Sequence, residues 1–359
     1  MIPRRRFVAG LAVGFAAVSS FAARAARATG GLDPELGPPP STVRLQVPPG
    51  RNATLRVLVA SGVSPQAFAP SGDGEFSYAG KIYRGVPQLA DAGNVRSGLI
   101  ATLQVESYLY GVVPLEIGTQ WPPAALQAQA IVARTYALAH RSAGRAFDVV
   151  AHEGDQVWGG IDVESPQTNA AVDATSGAVV TYGAGLASVF YASCCGGHTV
   201  DARGLWGGAD LPYLRGVDDP YCASSPDYRW TTTLTAGTLS AALGPRLAAL
   251  GTLRAITLRD PQPDGRRAVA FVGTTGAVDL SAAQVRTALG ARVVRSAYWK
   301  DLTVVGDPAQ ADAQVVIEGA GRGHGVGLCQ WGARMMALQG RSARDIVAYY
   351  FPGTAIGDA

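Results

Sequence analysis

The chain is 359 residues long, 48% hydrophobic and 16% charged, with a formal net charge of +3, a length that holds one large or two modest domains. The positive charge is concentrated at the start. Five arginines fall within residues 1–28, and without them 25 basic residues face 27 acidic ones, a net charge of about −2, so neither a nucleic acid nor an anionic membrane has compositional support as a partner.

Residues 1–28 join Arg4, Arg5 and Arg6 to an apolar run from Phe7 to Ala22 and to the small-residue endings Ala23-Arg24-Ala25 and Ala26-Arg27-Ala28. That is the composition of a cleaved export signal, and the Arg-Arg-x-Phe order suits the twin-arginine route as well as the general one. No later run is long enough to span a bilayer. Residues 29–53, rich in Pro and Gly, read as a linker, and a single folded domain is expected over 54–355.

Within it, LRVLVASG, FSYAGKIYRG and GLIATLQV are β-branched and aromatic runs broken by Gly and Asp, the pattern of consecutive strands. GVVPLEIGTQW then reads as a loop. WPPAALQAQAIVARTYALAHRSAGR predicts one long helix, opened by Pro122 and Pro123 and stopped by Gly144, with Leu126, Ala130, Ala133, Ala137 and Leu138 on its apolar side. GAVVTYGAGLASVFYASC predicts two strands around a Gly-rich turn. LRAITLRD, RRAVAFVG and AVDLS predict further strands, and SAAQVRTALG a short helix. At the end, CQWGARMMALQG predicts a helix stopped at Gly340, and Ser342 caps a last helix ending before Pro352. The fold class is α+β: a mostly β scaffold with one long helix after the loop that carries Glu116, and two C-terminal helices.

Glu116 lies among Pro114, Leu115, Ile117 and Trp121. A carboxyl in apolar surroundings loses hydration of its charged form, so its pKa rises from about 4.3 towards 6 or more and it can donate a proton near neutrality. Arg134 offers a fork of donors to a carboxylate or a sugar oxygen. GAGRGHGVG, residues 319–327, places glycine at every second position; in an extended chain this leaves one face without side chains while Arg322, His324 and Val326 point the other way. It lacks the Gly-Lys-Ser/Thr of a phosphate loop. His324 can contact substrate, act as a base or anchor the loop. Cys329, five residues on, is not read as a nucleophile, because a Cys–His pair is defined in space and not by sequence proximity.

The four cysteines, Cys194, Cys195, Cys222 and Cys329, all lie in the exported part, where disulfides are permitted. A Cys195–Cys222 bridge is expected in preference to zinc held by Cys195, His198 and Cys222, whose spacing matches no tight structural-zinc pattern.

Three blocks resemble the SpoIID/LytB family of bacterial cell-wall proteins: VESYLYGVVPLEIGTQWPPAALQAQAIVARTYAL at 105–138, SVFYASCCGGHTVDARGLWGGADLPYLRGVDDPYC at 188–222 and EGAGRGHGVGLCQWGARMMALQGRSARDIVAYYFPGT at 318–354. The resemblance implies an exported protein, periplasmic or wall-facing, whose partner is peptidoglycan. Sporulation-type members are lytic transglycosylases that cut glycan strands already stripped of stem peptides, and the glutamate of their Pro-x-Glu motif is the catalytic acid, here Glu116. Other members enhance an N-acetylmuramoyl-L-alanine amidase, so a cell-wall amidase is the alternative partner. Arg134, Tyr136, Gly321, Gly323, His324, Gly325 and Gln330 are the expected substrate-binding residues, and no cofactor is implied. Two departures stand out. Gln127 replaces a frequent lysine, and the loop 148–160 has His152 and Asp155 but none of the cysteines that hold zinc in some members, so no metal is expected there.

One carboxyl suffices for such a transglycosylase, because the muramyl 6-hydroxyl is tethered to the reacting sugar and needs no external water. The bare glycine face is then expected to lie against the glycan. Trp121, Tyr136, Trp206, Tyr213 and Trp331 are candidates for stacking on sugar rings.

Overall fold

The computed structural model describes residues 52–262 and 265–359. The segment read as an export signal and nearly all of the linker lie outside the described residues. The first strand begins at Thr54. Among the described residues no helix is long and apolar enough to cross a membrane.

The fold is α+β, with eight α-helices among the described residues and strands in several small sheets. One sheet runs in the order 86–92, 95–104, 54–60, 149–150; Thr54–Ala60 pairs antiparallel with Val95–Gln104 and parallel with Val149–Val150. Beside it, Phe68–Gly72, Glu75–Tyr78 and Lys81–Arg84 form an antiparallel meander. The segments expected to be strands here are strands.

Two helices follow directly. The first, α1 (Val105–Glu116), takes in residues 111–116 of the segment expected as a loop; these include Gly111, Val112, Val113 and Pro114, all weak helix formers. Packing overrides propensity: Val105, Tyr108, Leu109, Val112 and Val113 are buried in one core, and at Gly111 a Cβ would come within 2.6 Å of the Trp158 indole.

The second, α2 (Pro123–Ala139), is the predicted long helix. It ends at His140, whose N–H closes on the carbonyls of Tyr136 and Ala137, and so stops short of Gly144. Leu126, Ala130, Ala133, Ala137 and Leu138 face the first core as expected, while Ala128, Ile131 and Val132 face a second. Thus α2 is a shared wall between two cores rather than a surface helix with one wet side.

The second core is built from the hairpin Ala178–Tyr182/Gly185–Leu186 and the C-terminal helices. The helix α3 (Pro166–Ala174) precedes the hairpin and the short α4 (Ala202–Trp206) follows it. A third core lies within residues 230–317. There Trp230–Thr235, Gln314–Gly319 and Trp299–Val305 form one antiparallel sheet, Leu253–Leu258, Ala268–Gly273 and Ala277–Ser281 another. Two helices, α5 (Ala236–Leu247) and α6 (Ala282–Leu289), pack with them, and α6 starts at a Ser281/Gln284 capping box.

The chain closes with α7 (Gln330–Leu338) and α8 (Ala343–Tyr350), the latter capped reciprocally by Ser342 and Asp345 as the sequence predicts. A parallel pair, Tyr191–Ala192 with Leu328–Cys329, ties residues 188–222 to the C-terminal block.

Candidate functional site

Glu116 is the last residue of α1 and half-buried. Its Oε1 accepts a hydrogen bond from the Val157 N–H at 3.1 Å, which brings the loop 148–160 across the helix end. Its backbone carbonyl accepts from Gln330 Nε2 at 2.8 Å, and the same nitrogen donates to Gln129 Oε1 at 3.3 Å. The last carbonyls of a helix have no partner within it, so Gln330, buried at the start of α7, completes the terminus that presents the carboxyl.

Three tyrosines feel the charge of this carboxyl. Tyr136 donates to Asp155 Oδ1 at 2.9 Å, and Asp155 Oδ2 accepts the Val150 N–H at 2.7 Å. Gln156 donates to the Tyr191 hydroxyl at 3.1 Å and accepts from Tyr108 at 3.4 Å. Burial first, then the negative charge of Glu116 or Asp155, pushes Tyr136, Tyr191 and Tyr108 well above the usual phenol range. All three therefore stay neutral hydroxyl donors at any physiological pH.

Trp121 turns back through its N–H to the Gly118 carbonyl and meets Trp331 of α7 edge-on, with ring centroids 5.3 Å apart. The Arg334 guanidinium lies over both rings, at 5.2 Å from Trp331 and 5.6 Å from Trp121. Both indoles remain half-buried. Aromatic faces and a cation thus stand close in sequence to Glu116 and to its partner Gln330.

Several expected contacts lie elsewhere. Arg134 is fully buried; its guanidinium grips Glu106 at 2.9 and 2.7 Å and donates to the carbonyls of Ala178 and Val172. It belongs to the scaffold and does not reach the Glu116 carboxyl's surroundings. The correction has a simple cause: α2 is buried on nearly every side, so a residue opposite its apolar stripe still faces protein.

The glycine segment also differs from an extended strip. Gly321, Gly323, Gly325 and Gly327 all have positive φ, between 73° and 93°, and Gly321, Gly325 and Gly327 are buried. Their bare side lies against the chain's own segment 190–200. A Cβ at Gly321 would stand 2.5 Å from the Cys194 carbonyl oxygen, and one at Gly327 would overlap the Phe190 carbonyl. Reciprocal bonds between Arg322 and Cys194 fix the approach, at 2.8 and 3.2 Å. The glycines make room for backbone, and the backbone is the protein's own. Arg322 turns outward to Asp227, which also holds Arg295.

His324 anchors this segment. Its Nδ1 accepts the Val326 N–H at 3.0 Å, its ring packs 5.2 Å from Trp206, and burial lowers its pKa to about 4. A small cavity of about 30 Å³ is lined by His324, Gly323, Gly325 and Tyr298 among others, and Glu116 is not among them.

The cysteines form a cluster in place of the expected bridge. All four are buried free thiols. Cys195 Sγ lies 3.6 Å from Cys222 Sγ and 3.1 Å from Asp219 Oδ2, and the Cys195 N–H points at Cys329 Sγ at 3.3 Å. A disulfide needs about 2.05 Å between sulfurs. Hydrogen bonds from Cys194, Cys195 and Cys329 hold Cys222 far below the usual thiol range, whereas the bond to Cys222 raises Cys194 to about 11. His198 is not in the cluster; its side chain is 53% exposed and stands 3.9 Å from Asp218. Cys329 is 1% exposed and faces these groups, not the His324 ring.

Sequence reasoning missed Val157, Gln156, Tyr191, Tyr108 and Arg334. The loop 148–160 carried a signal in its density of Gly, Asp, Gln and Trp, but nothing linear connects it to Glu116.

Comparison with known proteins places these features in a family. Residues 94–182, which hold α1, α2 and the loop 148–160, match the SpoIID model, described as stage II sporulation protein. An uncharacterised protein of Brachyspira hyodysenteriae is 32% identical over 263 residues, 72% of this chain and 68% of its own. Stage II sporulation protein D of Bacillus subtilis is 30% identical over 277 residues, 72% of this chain and 76% of its own. The amidase enhancer of Bacillus subtilis is 29% identical over 297 residues, 69% of this chain but 40% of its own length. The chain that presents Glu116 on a helix end braced by Gln330 belongs to the SpoIID family.

Proposed function

We propose that this protein is an exported, cell-wall-directed lytic transglycosylase that cuts peptide-free glycan strands of peptidoglycan, with Glu116 as its one acid and base. The carrying observation is the placement of Glu116: a half-buried carboxyl at a helix terminus, oriented by the Val157 N–H and close enough to raise the pKa of three neutral tyrosines. Protonated Glu116 gives its proton to the glycosidic oxygen as the bond from that oxygen to the muramyl anomeric carbon breaks. The 6-hydroxyl oxygen of the same muramyl residue then bonds to that carbon, and its proton passes to the Glu116 carboxylate. A 1,6-anhydromuramyl end and a new hydroxyl on the leaving sugar result, and the acid is restored.

The state of Asp155 supports a single-carboxyl mechanism. Both its oxygens accept hydrogen bonds, from Tyr136 and from the Val150 N–H, so its role is to hold the loop and Tyr136 rather than to activate water. Trp121 and Trp331, with Arg334 over both rings, offer the sugar-stacking surface. Tyr136 and Gln330 then act on the acid's surroundings.

Mass spectrometry of products from peptide-free glycan tests this. Anhydromuramyl fragments are expected from the native protein, and Glu116→Gln should lower their release by about 10²–10⁴-fold, the usual worth of a general acid, with an unchanged melting temperature. Release that survives the substitution would sink the assignment. The second reading, an enhancer of an amidase, draws on the relative that bears that name. It predicts no fragments from the protein alone, and faster product release by a supplied N-acetylmuramoyl-L-alanine amidase in native and Glu116→Gln forms alike.

A further inference from the structure

Three separated stretches of chain send sulfur and oxygen to one buried point. Cys195, Asp219, Cys222 and Cys329 each offer one ligand atom, and these atoms all lie within 4.8 Å of one another. The four residues are 4%, 0%, 0% and 1% exposed. We propose that Cys195, Cys222, Cys329 and Asp219 bind one zinc ion as a closed, structural site.

The spacing is the first argument. Four ligands placed tetrahedrally at about 2.3 Å from zinc stand about 3.8 Å apart, and Cys195 and Cys222 are 3.6 Å apart. That separation is too long for a disulfide and matches the ligand–ligand spacing of a tetrahedral zinc site. The second argument is the hydrogen bonding. The Cys195 N–H is aimed at Cys329 Sγ, and the Gly197 N–H at Cys222, which is how backbone amides stabilise metal thiolates. Asp219 Oδ1 is occupied by the Tyr221 N–H at 3.0 Å, while Oδ2 receives the Cys195 thiol proton at 3.1 Å. Zinc would take that proton's place, with the three thiol protons released to solvent.

The donor set selects the metal class. Three sulfurs and one carboxylate oxygen suit zinc and disfavour magnesium or calcium. The four buried ligands leave no open position for a reacting water, so the ion would be a staple and not a Lewis acid for substrate. What it staples is consequential: Cys329 immediately precedes Gln330, whose side chain holds the Glu116 carbonyl. Cys194 stays outside the coordination sphere as a neighbouring thiol. This inference stands whether or not the protein cleaves glycan.

The test uses the full chain purified without chelators, with elemental analysis for metal and a thiol count before and after unfolding. One equivalent of zinc is expected in the folded protein, with the three ligand thiols protected until unfolding or a strong chelator releases the ion, after which four thiols titrate. Cobalt substitution should give sulfur-to-metal charge-transfer absorption in the native protein. Cys222→Ser and Cys329→Ser should lose the equivalent, and Cys194→Ala should keep it. A Cys195–Cys222 disulfide found by non-reducing mass mapping would overturn the site, as would four thiols that bind neither zinc nor cobalt when the folded protein is titrated with each metal. Zinc lost from Cys194→Ala would overturn the ligand assignment.

Discussion

Gln330 Nε2 lies 2.8 Å from the Glu116 backbone carbonyl, joining residues 214 apart in sequence. The contact caps a helix-end carbonyl in a partly buried setting. It also makes α7 a brace for the acid. Whatever shifts α7 shifts Glu116.

Gln330→Met keeps the volume and removes the donor. We expect a stability loss of about 1–2 kcal/mol and a fall in kcat for glycan cleavage with KM unchanged, because the substitution moves the acid and leaves the sugar contacts in place. Steady-state kinetics alongside urea unfolding check both. In a Glu116→Gln background it should cost stability only. Native kcat in Gln330→Met would show that the brace does not position the acid.

Arg134 is predicted to matter for folding and not for substrate. Its guanidinium is 0% exposed beside Glu106, and removing one member of a buried pair strands the other. Arg134→Met should therefore cost about 3–5 kcal/mol. Lysine cannot reproduce the two-pronged contact and should recover only part of it. Adding Glu106→Leu to Arg134→Met should restore much of the loss, measured by urea unfolding, while KM of the folded fraction stays native throughout. A raised KM with native stability would return Arg134 to the binding site.

Alanine at Gly327 or Gly321 should destabilise strongly. Each position has positive φ, which alone costs an alanine about 1–2 kcal/mol, and each added methyl meets a carbonyl of the segment 190–200. Gly144→Ala is the control, since nothing lies within 4 Å of its Cβ position and φ there is ordinary. Thermal unfolding should separate the two classes plainly. If Gly327→Ala melts like Gly144→Ala, the close approach is wrong.

The stability of the protein should fall as pH drops from about 6.5 towards 4, in part through His324. Burial lowers its folded pKa to about 4 from the usual imidazole value of 6.5. The unfolded chain therefore takes up a proton over that window while the folded one does not, so stability present above 6.5 is lost on acidification. Allowing for partial exposure of the ring, the effect is about 1–2 kcal/mol. His324→Asn retains an acceptor for the Val326 N–H and cannot titrate. Urea unfolding at pH 7.5 and 4.5 should show a smaller drop for the variant; equal drops would remove His324 as a contributor.

Much of this protein is legible in one dimension. The strand runs near the N-terminal side, the α2 helix, the Ser281 and Ser342 caps and the two C-terminal helices follow from local chemistry, where period, capping and turn residues all agree. The family blocks also single out Glu116. By contrast α1 escaped, because its stability comes from burying Tyr108, Val112 and Val113 and from the fit of Gly111 against Trp158. No propensity scale registers that gain.

The sequence alone determined the α+β class, the positions of part of its regular elements and the three blocks that mark the family, since each depends on neighbours a few residues apart. Only the tertiary structure decided which face of α2 was wet, and the answer was almost none. It decided that the alternating glycines accommodate residues 190–200 rather than a ligand, and that three cysteines meet Asp219 instead of two meeting each other. Those outcomes depend on pairs of residues 24 to 214 positions apart brought within bonding distance. Contact at that range is settled by how the cores pack, and a linear pattern holds no record of it.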